Sequence, residues 1–175
     1  MGKHPVHKLI GDLISLDPDI KKSGFDVLLS PECGGKQNIP LFCENIKSNA
    51  NELCNVDIAL IKNNEIRAII EIEESDVKPS NFCGKYLTSE LSEYHINKSG
   101  QSYPIKKPVI FIHIYDKSKL KVNGSKVKQF NNVERLINRI ICYNCCSKIK
   151  EYYIFDHTYE VQIIGRILSF ISRVI

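Results

Sequence analysis

Residues 55–75 read NVDIALIKNNEIRAIIEIEES. Two apolar runs, 56–62 and 66–73, flank the polar pair Asn63-Asn64, which is the pattern of a β-hairpin. Carboxylates mark its open end, Asp57 on the first run and Glu71, Glu73 and Glu74 on the second. Side chains alternate along a strand, so the turn decides which of these acids meet. A two-residue loop pairs Lys62 with Glu65 and sets Asp57 against Ile70. A three-residue loop, 63–65, pairs Lys62 with Ile66 and sets Asp57 against Glu71. We expect the longer loop, or a bulge with the same effect, because three-residue loops need a left-handed residue and asparagine tolerates that conformation. Asp57 and Glu71 then have Cβ atoms roughly 5 Å apart, with Glu73 further along the same face. Like charges placed so require a cation, raised pKa values or open solvent.

Outward from the hairpin, the chain alternates between helical and strand patterns. Val6, Leu9, Ile10, Leu13 and Ile14 recur at helical spacing over 4–16, and Asp17-Pro18 ends the run. Residues 25–30 read as a short strand and PECGGKQN as a turn. Residues 39–43 read as a second short strand, placed at an edge by Pro40, and SNANELC as a loop. After the hairpin, Asp76 and Pro79 break the strand. A helix is expected over 80–96 with Ser80 as N-cap, then a loop over 97–108. VIFIHIY, 109–115, is β-branched and aromatic throughout, a buried central strand. A polar, lysine-rich stretch covers 116–132. Helices over 132–148 and 158–174 enclose a strand at 151–157. Together these predict one α/β domain spanning 1–175, with a central mixed β-sheet and helices on both faces.

Composition agrees with that picture. The 175 residues are 43% hydrophobic, enough for a core. The net charge of +4 and pI near 8.6 permit a polyanionic partner without demanding one. No apolar stretch approaches the roughly 20 residues of a membrane helix, and the first residues lack a secretory pattern. The seven cysteines are odd in number and point to a reducing, cytoplasmic compartment.

The acid spacing resembles the PD-(D/E)xK nuclease superfamily, the restriction-endonuclease-like fold. Asp57, thirteen intervening residues and Glu71-Ile72-Glu73 stand where that family has an acid at one strand and acid-x-lysine on the next. The resemblance covers roughly residues 4–115. It implies a metal-dependent nuclease acting on DNA, with Asp57, Glu71 and the backbone carbonyl of Ile72 as ligands to Mg²⁺ or Mn²⁺. Glu73 occupies the usual lysine position, and valine precedes Asp57 where the family has proline. Glu73 then serves as base or second-metal ligand, or Lys85 of the following helix supplies the missing cation. Lys36, Lys47, Lys78, Lys85, Lys106 and Lys107 are the expected phosphate contacts. The alternative is a noncutting nucleic-acid-binding or protein-interaction module that uses the same acids.

Other constellations compete less well. Cys142-x-x-Cys145-Cys146 has half of a zinc-site spacing and could combine with Cys33, Cys43 or His4-x-x-His7. Its helical periodicity favours cysteines packed as small hydrophobes. A catalytic cysteine with His95 or His113 lacks a local signature, and His113 reads as a packed strand residue. Glu32 is a turn acid or an extra ligand. The amphipathic segment 158–174, with Val161, Ile164, Ile167, Leu168, Ile171 and Val174, suits core packing or a homodimer interface.

Overall fold

The computed structural model describes residues 4–75, 77–120 and 124–174. Helices are α1 Pro5–Leu16, α2 Pro18–Lys22, α3 Pro79–Leu91, α4 Lys126–Tyr143 and α5 Glu160–Val174. Strands are β1 Asp26–Leu29, β2 Ile39–Phe42, β3 Glu52–Val56, β4 Ile58–Lys62, β5 Glu65–Glu73, β6 Tyr94–Ile96, β7 Ser102–Tyr115 and β8 Ile149–Asp156. They form one mixed sheet in the order β1-β4-β5-β7-β6-β2-β3, with β8 also on β7. The C-terminal half of β7 runs parallel to β5 on one side and to β8 on the other. Its N-terminal part pairs antiparallel with β6.

Alternation along the strands divides the apolar residues between two layers. Ile58, Leu60, Ala68, Ile70, Ile110, Ile112 and Ile114 pack under α1, α2 and α5. Ala59, Ile61, Ile66, Ile69, Val109, Phe111 and Tyr152 pack under α3 and α4. Helices therefore cover both faces, and residues 109–115 are buried in the middle.

The hairpin carries the register that brings the acids together, by a different device from the favoured loop. Asn63 and Asn64 both take positive φ, 52° and 63°, and form a two-residue turn pairing Lys62 with Glu65. A bulge between Leu60 and Ile61 then absorbs Arg67, and the pairs Leu60↔Ala68 and Ile58↔Ile70 follow. The next position outward sets Asp57 against Glu71. The bulge also explains how Ile66 and Ala68 reach opposite faces of the sheet although they are two residues apart.

Several local readings need correction. β2 is not an edge strand. It lies between β6 and β3, and Pro40 is accommodated because β6 pairs only with Leu41 and Phe42. Pro79 occupies the first turn of α3 and Lys78 is its N-cap, so Ser80 is inside the helix. That helix stops at Leu91, and Tyr94–Ile96 leave it to form β6 on β7. Part of SNANELC becomes β3, and Ser102–Lys107 extend the central strand. α4 begins at Lys126 and ends at Tyr143, which leaves Cys142, Cys145 and Cys146 exposed rather than packed. On α5 the buried residues are Ile163, Ile167 and Phe170, whereas Val161 is exposed. Asp76, residues 121–123 and the side chains of Ile171 and Val174 lie outside the described set.

Candidate active site

Asp57 is the bend between β3 and β4. Its carbonyl accepts the Ser30 N–H (2.8 Å), and its Oδ2 accepts the Ile72 N–H across the hairpin (2.8 Å). N–H and C=O of one strand residue point to the same side, so the Ile72 carbonyl also faces Asp57. Glu71 and Glu73 project from the end of β5 onto the face covered by α3. Glu71 is 1% exposed. Burial pushes its carboxyl well above the usual range, Lys85 opposes that rise, and Asp57 adds to it. Glu73 is raised for the same leading reason, with Lys85 again opposing.

Lys85 comes from the first half of α3. Its Nζ is 2.6 Å from Glu71 Oε2 and 3.6 Å from Glu73 Oε1. Burial works against its charge, but Glu71, Asp57 and Glu73 outweigh burial and hold it protonated above its ordinary range. The cation expected from the following helix thus stands between the two β5 acids. Glu73 is the second carboxylate within ion-pair reach of Lys85. The three acids do not close into a single carboxylate cluster, because Lys85 occupies the space between Glu71 and Glu73.

On the α1 side of the sheet, His7 touches two acids of the hairpin end, Asp57 and Glu74. Its Nε2 lies 3.6 Å from Asp57 Oδ1 and its Nδ1 2.9 Å from Glu74 Oε1. Glu74 also accepts the His7 backbone N–H (2.7 Å), and so serves the start of α1, where the N-cap His4 makes no side-chain cap. Sequence names Glu74 among the acids of the hairpin end and His7 only as half of a zinc option, and nothing in it joins the two. The i, i+3 histidines and the acid directly after the strand were the available signals.

The remaining expectations separate clearly. Cys33 lies beneath the site, and burial pushes its thiol up to about 12, which leaves no thiolate for nucleophilic chemistry. His95 packs with its Nδ1 on the Pro40 carbonyl (2.9 Å), and His113 is fully buried against Tyr152. Glu32 is an exposed turn acid, held low first by a backbone hydrogen bond and also by His7 and His4. Lys36 and Lys47, together with Lys98, line a surface pocket of about 290 Å³ that begins at Pro31. Lys106 is paired with Glu65 (2.9 Å), at the turn end of the hairpin. No helix among the described residues is long and apolar enough to cross a membrane.

The fold and this site define an α/β protein whose mixed sheet ends in a buried acid paired with a half-buried lysine. No family model, curated protein or solved structure matches the chain.

Proposed function

We propose that the protein is a metal-dependent nuclease on a restriction-endonuclease-like fold, hydrolysing DNA phosphodiester bonds with Mg²⁺ or Mn²⁺. The observation that carries this reading is the convergence of Asp57, Glu71 and Lys85 from three separate elements at one sheet end. The site suits a hard cation. Glu71 Oε1 is buried without a hydrogen-bond partner and faces the Asp57 carboxylate, so a proton or a cation must relieve that contact. Asp57, Glu71 and the Ile72 carbonyl would hold the ion. It would supply Lewis acidity and a bound water of lowered pKa.

The chain's own groups do the rest. Lys85 is placed to neutralise charge gathering on a phosphate and to orient a water, with Glu73 restricting its swing. Lys36 and Lys47, in a pocket that also takes in Pro31, the residue after Ser30, supply phosphate contacts that position the DNA without reading its sequence. A homodimer would present two such sites to the two strands.

A second reading, a noncutting nucleic-acid-binding or protein-interaction module, is favoured by the ion pair itself. Lys85 at 2.6 Å already neutralises Glu71 without metal.

Supercoiled plasmid incubated with Mg²⁺ or Mn²⁺ separates the two. Nicking or linearisation by the wild type, lost by at least a hundredfold in a folded Asp57→Ala variant, is the expected result. DNA retention without cutting by the wild type would establish the binder instead.

A further inference from the structure

We propose that His4, His7 and Glu74 form a site for a divalent transition metal of the Zn²⁺ class, separate from the Asp57–Glu71 pair. This does not rest on the nuclease reading. Among the described residues, these three are the group whose histidine, cysteine or carboxylate ligand atoms all lie within 4.8 Å of one another. Two imidazoles and one carboxylate are a donor set that hard Mg²⁺ does not seek, whereas Zn²⁺ and its neighbours do.

The spacing fits. Bonds of about 2.0–2.2 Å in a tetrahedral site place neighbouring ligand atoms roughly 3.4 Å apart. The separations here are 2.9 Å for His7 Nδ1 to Glu74 Oε1 and 3.9 Å for His4 Nδ1 to Glu74 Oε2. One ligand atom from each of the three residues lies within 4.8 Å of the other two, so side-chain adjustment of about an ångström would complete the set and leave a fourth position for water.

The supports around the ligands are already in place. The His7 backbone N–H fixes Glu74 (2.7 Å), and His4 and His7 meet edge to face on the first turn of α1. With metal on Nδ1, His7 turns its Nε2–H toward Asp57, 3.6 Å away. A shift of a few tenths of an ångström would make this the hydrogen bond by which a carboxylate orients an imidazole ligand. The positive end of α1 works against a cation at this place, and the nearby carboxylates Glu74, Asp57 and Glu32 offset it.

The test uses untagged full-length protein carrying Ser at the exposed Cys83, Cys142, Cys145 and Cys146, so that thiols do not compete. Co²⁺ titration in excess Mg²⁺, which occupies any oxygen-ligand site at Asp57–Glu71, should give one bound ion per chain, with visible d–d absorption and no thiolate charge-transfer band. Zn²⁺ should displace it and Mg²⁺ should not. His4→Gln, at a half-exposed position that spares the core, and Glu74→Gln should each weaken Co²⁺ binding at least tenfold. Glu71→Gln should leave it within twofold, which separates this site from the proposed nuclease centre. Absence of Co²⁺ binding, or binding undiminished by both His4→Gln and Glu74→Gln, overturns the proposal, whatever the plasmid assay returns.

Discussion

Glu71 is the residue on which the site turns. It is fully buried, and among the described residues its cation partner is Lys85, which is shared with Glu73. Desolvation raises its folded pKa above the usual 4.5 despite that partner. A raised carboxyl favours the fold while it is protonated, and this contribution is lost as pH climbs from about 4.5 through the folded value. Glu71→Gln removes the ionisation. In metal-free protein the stability of this variant relative to wild type should therefore grow with pH across that window and level off on either side of it. Urea midpoints from pH 4 to 8 measure the trend, and a flat difference would place the charge of Glu71 in solvent. The acids themselves were legible in the sequence, and Lys85 was one of the two options it left open beside Glu73. The order of affairs around Glu73 was not legible. Only the position of α3 over the sheet brings Lys85 within 3.6 Å of that acid.

At the scale of elements, α1 and the hairpin set the geometry together. α1 carries His4 and His7 and lies close over the turn after β1. A Cβ built on Gly11 would sit 2.1 Å from the Cys33 carbonyl oxygen, and one on Gly35 would sit 1.7 Å from that of Leu29. Alanine in a helix normally gains about 1 kcal/mol over glycine. Here backbone would have to move, and overpacking of this kind costs about 1–3 kcal/mol. Gly11→Ala should lower the melting temperature, and by displacing the start of α1 it should also weaken Co²⁺ binding at His4 and His7. A stabilised variant would mean that α1 and the 30–35 turn separate freely. The hairpin shows where sequence reasoning stops short. Both of its strands and its Asn-Asn turn follow from pattern and turn chemistry, but the loop length and the bulge at Arg67 trade against each other. Either device sets Asp57 opposite Glu71. Packing made the choice, because Ile66 must enter one layer and Ala68 the other.

For the whole molecule, the polar groups gather at the C-terminal ends of the parallel strands β5, β7 and β8. The Asp116 N–H donates to the Glu73 carbonyl (3.0 Å), and Lys117 pairs with Asp156 at 3.2 Å. Ligands in open α/β sheets occupy this end. Deeper in the same sheet, His113 pairs with Glu71 across β5 and β7. Burial lowers its pKa well below 6.5, and Lys85 adds to that. A histidine held neutral in the fold stabilises fully above pH 6.5, and the unfolded chain takes up the proton as pH falls below it. The loss is about 1.4 kcal/mol per pH unit until the folded group titrates. His113→Asn should be less stable at neutral pH through lost packing, yet show a shallower decline between pH 6.5 and 5. Equal slopes in variant and wild type would show that solvent reaches His113.

The sequence by itself determined which segments are strands and helices wherever the apolar period was sustained. It determined the α/β class, the central place of residues 109–115 and the acids at the hairpin end. These follow from local periodicity and turn chemistry, which act over a few residues. Tertiary structure alone decided that Tyr94–Ile96 leave the helix for the sheet, that β2 is enclosed despite Pro40, and that His7 and Glu74, 67 residues apart, share a hydrogen bond. Each of these depends on a partner distant in the chain, and local propensity gives way when such a partner satisfies backbone groups or charge that the segment leaves open.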